Sequence, residues 1–145
     1  MSAVRVGVIG VGHLGQHHAR IVSSLPGAEL VAVVDANLER ARTIAGQYGG
    51  VPHVDTTALP TVDAVVIAAP TTVHHALAMP FLQAGVATLV EKPMTDNADE
   101  AAELVALAQS RRVVLQVGHV ERFNPALLAA RQTLTTVRFI ECHRL

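Results

Sequence analysis

Three glycines and one carboxylate carry the first chemistry in this 145-residue chain. Gly10, Gly12 and Gly15 stand in the spacing G-x-G-x-x-G at the end of the apolar run Val4–Ile9. A glycine at the first position allows a tight turn out of a strand. One at the second lets backbone approach a pyrophosphate with no Cβ in the way, and one at the third lets the next helix pack close to the strand. A helix that starts there presents free N–H groups and the positive end of its dipole to phosphate oxygens. Asp35 closes a second apolar run, Leu30–Val34, 20 residues past the third glycine. A carboxylate at that distance accepts hydrogen bonds from adenosine ribose hydroxyls. It also repels a 2′-phosphate, which favours NAD over NADP, and Arg40, one helical turn further on, softens that preference. The glycines alone also fit a plain turn, and Asp35 also fits a residue capping the next helix. Strand, glycines, helix, strand and acid in this order favour the nucleotide site.

The elements that position these groups follow from hydrophobic period and punctuation. Leu14, His18, Ile21, Val22 and Leu25 predict one face of a helix after the glycine turn. Asn37 is the expected N-cap of a second helix, with Leu38, Ala41, Ile44 and Tyr48 on one face and Gly49-Gly50 at its end. Val51–Asp55 reads as a third strand, and the run Asp63 to Ala69, closed by Pro70, as a buried fourth. Thr71–Ala84 has a helical pattern broken by Pro80, which predicts a kink or a restart. Ala87–Val90 is the fifth expected strand. Thr95–Ser110 is the clearest helix, with Thr95 and Asp96 as cap residues and Ala101, Leu104, Val105 and Ala108 at core spacing. Val113–Val117 predicts a sixth strand, Asn124-Pro125 the start of a helix over Ala126–Gln132, and Val137–Leu145 a last strand.

Strands alternating with helices imply an α/β domain, a doubly wound parallel sheet of the Rossmann type with strand order 3-2-1-4-5-6. In such a sheet the turns at the carboxyl ends of the strands converge on one cleft. Those turns are Gly10–Gly15, Ala69-Pro70-Thr71 with Thr72, Glu91-Lys92-Pro93, and His119 after the sixth strand.

Composition bounds the rest. Half the residues are apolar and only 3% aromatic, so one ordinary domain with a core of Ala, Val, Leu and Ile is expected. A net charge of −1 argues against a nucleic-acid binder. The single cysteine, Cys142, forms no internal disulfide and suits a reducing cytoplasm. The N-terminus has no signal-peptide pattern, and no apolar run is long enough for a membrane span.

The ordered set of motifs resembles the glucose-fructose oxidoreductase / inositol dehydrogenase family of NAD(P)-dependent enzymes, Gfo/Idh/MocA. The likeness covers nearly the whole chain. It rests on Gly10-Val11-Gly12-His13-Leu14-Gly15 with His18, on Asp35, on Pro70 followed by His74, on Glu91-Lys92-Pro93 and on Gly118-His119. The run Gly118 to Pro125 is similar to the form in members that oxidise nucleotide-linked amino sugars, such as UDP-N-acetylglucosamine 3-dehydrogenases. The resemblance implies that Lys92 lies beside the nicotinamide and acts on the hydroxyl of a sugar or nucleotide-sugar substrate, as a base or by stabilising an alkoxide. It implies cofactor contacts from Gly10, Gly12, His13, Leu14, Gly15, Asp35, Ala69, Pro70, Thr71, His74, Glu91, Lys92 and His119. It also implies a second, open-sheet domain that supplies much of the substrate pocket. Residues 1–136 are then the nucleotide-binding domain and 137–145 the opening strand of the second, whose unpaired edge invites homo-oligomers. A non-catalytic NAD(H)-binding or redox-sensing module is the other reading, against which the intact Glu91-Lys92-Pro93 turn speaks.

The remaining polar residues have plainer readings. His13 and His17 stand four apart, a metal spacing, but lack Cys or carboxylate partners, so no metal is expected. His74 contacts the cofactor or is simply polar near a helix start. His75 is expected in solvent. His119 reaches the ligand or satisfies its own turn. Glu121 and Arg122 serve a substrate or pair with each other, and Arg20, Arg111 and Arg112 read as solvated charges.

Overall fold

In the computed structural model, described over residues 2–133 together with positions 139 and 141, six parallel strands form one sheet. They are β1 (Val4–Ile9), β2 (Ala28–Val34), β3 (Val51–His53), β4 (Ala64–Ile67), β5 (Ala87–Val90) and β6 (Leu115–Val117). The order is β3-β2-β1-β4-β5-β6, as the alternating pattern predicts. The helices are α1 (Gly15–Ser24), α2 (Leu38–Tyr48), α3 (His74–Gln83), α4 (Ala98–Arg111) and α5 (Pro125–Thr133).

The strands are apolar on both faces because both faces are covered. Successive residues along one strand point to opposite sides. Val8 and Val33 pack with Val11, Ala19, Val22, Ala41 and Ile44 of the α1/α2 layer. Their neighbours Ile9 and Val34 pack with Ile67, Ala78, Leu82, Val90 and Leu104 of the α3/α4 layer. This is why the sequence shows continuous runs rather than alternation. The order reverses between β1 and β4, whose connections leave to opposite faces of the sheet, so that a crevice opens beyond their carboxyl ends.

Several expectations are corrected. The buried stripe of α1 is Gly15, Ala19 and Val22, whereas Leu14, Ile21 and Leu25 are exposed. Small residues face the sheet because α1 lies close against it, with no room for long side chains. The cap of α4 is Asn97, whose side chain accepts from the Glu100 amide at 2.9 Å. Thr95 instead donates its hydroxyl to the Asn97 carbonyl, and Val105 is exposed. β3 and β6 are shorter than expected, since only the segments paired to β2 and β5 are strand. A 3-10 turn over Thr71–Val73 precedes α3, so the break falls before His74, and the helix continues through Pro80. The predicted caps hold at Asn37, which accepts from the Arg40 amide at 3.2 Å, and at Asn124, which accepts from the Ala126 amide at 2.9 Å. The strand expected over Val137–Leu145 falls outside the described residues, apart from positions 139 and 141.

Candidate functional site: the crevice at the carboxyl edge

The three glycines differ sharply in what surrounds them. Gly10 has a positive φ of 80°, and a Cβ there would stand 2.6 Å from the Ala69 amide nitrogen. A Cβ on Gly15 would lie only 1.7 Å from the Gly10 carbonyl oxygen. Both positions are closed to any other residue, the first to shape the turn and the second to bring α1 against it. A Cβ on Gly12 would meet nothing within 4 Å. Its missing side chain leaves open space on the crevice side, which suits a bulky anion passing over backbone. The start of α1 has no side-chain cap and no acid in its first turn, unlike the Asn-capped starts of α2 and α4. Its amide dipole is left facing the crevice.

The crevice has a volume of about 750 Å³. Of the residues expected to contact a cofactor, Gly10, Gly12, His13, Leu14, Asp35, Ala69 and Pro70 line it. Arg40, Asp55, Thr56 and Thr72 join them. His13 meets His17 edge to face at 5.8 Å. Among the described residues no cluster of three or more His, Cys, Asp or Glu gathers for a metal.

Asp35 sits at the floor of the crevice and is engaged on both oxygens. It accepts from the Val11 amide at 3.0 Å and the Asn37 amide at 2.9 Å. Arg40 donates from Nη1 at 3.3 Å to each oxygen. The carboxylate thus ties the glycine turn to the start of α2 and holds a cation at the crevice wall. The capping alternative is half right: Asp35 takes the Asn37 amide, and Asn37 itself caps the helix.

The other six expected site residues, Gly15, Thr71, His74, Glu91, Lys92 and His119, do not line the crevice. Glu91 is buried at the end of β5. Its Oε1 accepts from His18 Nε2 at 2.8 Å, and its Oε2 accepts from the Lys92 amide at 3.1 Å. Gly118 presses against this carboxylate; a Cβ there would come within 3.0 Å of Glu91 Cδ. His74 is also buried, with Nδ1 3.0 Å from the Pro93 carbonyl and Nε2 2.8 Å from the Ala69 carbonyl. Its ring braces the Ala69-Pro70 turn against the Glu91-Lys92-Pro93 turn, so neither nitrogen is turned to the crevice. The peptide bond between Lys92 and Pro93 is cis. Lys92 and His119 stand exposed at the ends of β5 and β6. Lys92 is the only lysine in the chain. Gly15 is buried against the Gly10 carbonyl, and Thr71 opens the 3-10 turn after Pro70.

Sequence reasoning did not pair His18 with Glu91, nor place Gly118 against it, although all three belong to the motifs that carry the resemblance. Two lesser readings change. His75 is half-buried and meets Glu103 at 3.0 Å rather than facing solvent, and Glu121 accepts from the Asn124 side chain at 2.8 Å.

A family model described as an oxidoreductase family with an NAD-binding Rossmann fold matches residues 4–119. The chain belongs to this family. It is 43% identical to UDP-N-acetylglucosamine 3-dehydrogenase from Acidithiobacillus ferrooxidans, over all of this chain and 46% of that protein. The solved structure of that enzyme covers 92% of this chain with a TM-score of 0.84 at 42% identity, over 44% of its own length. Inositol 2-dehydrogenase from Rhizobium meliloti is 38% identical over 95% of this chain and 42% of its own. A 3-ketoreductase from Actinomadura kijaniata, solved with NADP, matches with a TM-score of 0.85 at 26% identity, over 92% of this chain and 44% of that one. The chain therefore spans less than half the length of the relatives it matches. What it shares with them is the family's NAD-binding Rossmann fold, and no helix among the described residues is long and apolar enough to cross a membrane.

Proposed function

We propose that this chain is the cofactor-binding half of an NAD-dependent dehydrogenase acting on a sugar or nucleotide-sugar hydroxyl. The observation that carries the reading is the pairing of one open glycine, Gly12, with a glycine turn locked on both sides, above a fixed carboxylate, Asp35. Backbone amides from Gly12 to Gly15 would hold the pyrophosphate, and Asp35 the adenosine ribose. The bound nicotinamide would take up the hydride. The chain's part is the proton: a carbinol that loses hydride must also lose its hydroxyl proton, and Lys92 would accept it or stabilise the alkoxide. Glu91, His74 and Pro93 hold the turn that carries Lys92, while Ala69, Pro70, Thr71 and His119 would border the nicotinamide end. NAD would be favoured over NADP because Asp35 would face the ribose 2′ position, although Arg40, bonded to Asp35, would bring a positive charge there.

The named relatives are dehydrogenases and a ketoreductase, which supports an enzyme over a non-catalytic redox-sensing module. Their greater length supports residues 137–145 as the opening of a substrate domain beyond the nucleotide-binding unit of 1–136. A cytoplasmic setting is part of the same proposal, supported by the single cysteine. So is a homo-oligomer, supported by the exposed apolar Val120, Phe123, Leu127 and Leu128.

The test is a titration with NADH and NADPH followed by nicotinamide fluorescence, which no tryptophan of the chain obscures. Saturable binding with NADH preferred is expected; a folded chain that binds neither overturns the reading. In the complete protein, with UDP-N-acetylglucosamine as the first substrate probe, Lys92→Met should lower turnover by about 10²–10⁴-fold while NADH still binds. Unchanged turnover removes Lys92 from the role.

A further inference from the structure

Glu91 is a buried carboxylate for which the proposed chemistry has no direct use. It does not line the crevice, yet two distant elements and the amide of the next residue converge on it. His18 from the first turns of α1 donates to Oε1 at 2.8 Å. The Lys92 amide donates to Oε2 at 3.1 Å. Gly118, at the end of β6, leaves the space that the carboxylate fills. With both oxygens engaged and one face against Gly118, the carboxylate has one position, and the Lys92 peptide is fixed through it. His18 in turn is set by Gly15, because α1 comes close enough only where a Cβ is missing against the Gly10 carbonyl.

We infer that His18 is a positioning residue: through Glu91 it aims Lys92 at the nicotinamide end of the crevice and links the phosphate turn to the proton-handling turn. The inference deepens the proposed function and rests on it. The bond needs a proton on Nε2, since both oxygens of a carboxylate only accept. Loss of that donor would leave a buried carboxylate with an unfilled oxygen, free to swing and to release the Lys92 amide.

Because Lys92 is the only lysine, lysine labelled with carbon-13 at Cε gives one resonance that reports on it directly. The experiment follows that resonance in the 145-residue chain with and without saturating NAD⁺, with binding checked by NADH fluorescence and folding by circular dichroism. In the wild type, NAD⁺ is expected to shift the resonance. In His18→Leu the NAD⁺-induced shift should fall to less than half. His18→Gln, whose amide can still donate to Glu91, should restore most of it; a role in packing alone would not be rescued in this way. Gly118→Ala crowds the same carboxylate from the other side and should also halve the shift, so the test stands even if His18→Leu fails to fold. An equal shift in the wild type, His18→Leu and Gly118→Ala overturns the inference, as does a bound wild type whose Lys92 resonance ignores NAD⁺. A folded wild type that binds no NADH fails earlier and overturns the cofactor reading itself.

Discussion

The two ends of the parallel sheet handle charge in opposite ways. At the carboxyl ends of the strands, Asp35 and Glu91 are only 8% and 6% exposed. Each is held by partners from distant segments, including backbone amides. At the amino ends, Arg5 and Asp63 form a two-pronged ion pair at 2.8 and 3.0 Å with side chains 41% and 42% exposed. The exposed pair costs little to form and contributes little, because water screens it. The buried acids are expensive to desolvate and persist where each oxygen finds a donor. The fold concentrates that expense at one edge, around the crevice. A fixed carboxylate there can define where a ribose or a lysine sits, whereas a solvated one cannot.

The comparison breaks most sharply at Gly15. Gly15→Ala forces a Cβ into the Gly10 carbonyl, so α1 must move away from the glycine turn and from Glu91. We expect a loss of about 2 kcal/mol or more in stability, read by thermal or urea unfolding, together with loss of NADH binding. A variant as stable as the wild type that still binds NADH would contradict the packing described here. A smaller effect is expected at Asp35. Asp35→Ala strands the buried Val11 amide, costing on the order of 1–3 kcal/mol. It also frees Arg40, and the preference for NADH over NADPH should narrow about tenfold, equivalent to about 1.4 kcal/mol. An unchanged ratio in paired titrations would remove Asp35 from the ribose.

The smallest effect belongs to the amino edge. The Arg5 side chain, hydrogen-bonded to Asp63, holds the Asp63 carboxyl down at about 2. The folded value lies below the unfolded one of about 3.9, so the pair's contribution is present above about pH 4 and fades as pH falls through about 2. Asp63→Asn should flatten the dependence of stability on pH in that window. It should leave neutral-pH stability little changed and NADH binding intact. If the variant alters NADH affinity, the two ends of the sheet are not independent.

Much of this arrangement is legible in the chain itself. The glycine spacing, the apolar runs and the position of Asp35 depend on neighbours within one βαβ unit, where local geometry leaves little choice. Strand order follows from right-handed crossovers of alternating strands and helices. The same local logic found the caps at Asn37 and Asn124. It missed Asn97 because Thr95, Asp96 and Asn97 are all good caps, and packing of α4 against its neighbours selects among them. On α1 it found Val22 but misjudged the rest, because apolar period also suggests Leu14, Ile21 and Leu25, while close approach to the sheet demands Gly15 and Ala19.

What the sequence determined by itself is therefore the doubly wound sheet, the crevice between β1 and β4, and the residues of its phosphate turn. All are consequences of short-range sterics and hydrophobic period. Only the tertiary structure decided that His18, 73 positions from Glu91, donates to it, that Gly118 makes room for the same carboxylate, and that His74 braces two turns instead of facing the crevice. Buried polar groups must find partners wherever the packed chain brings them, and one-dimensional spacing carries no record of which segments those are.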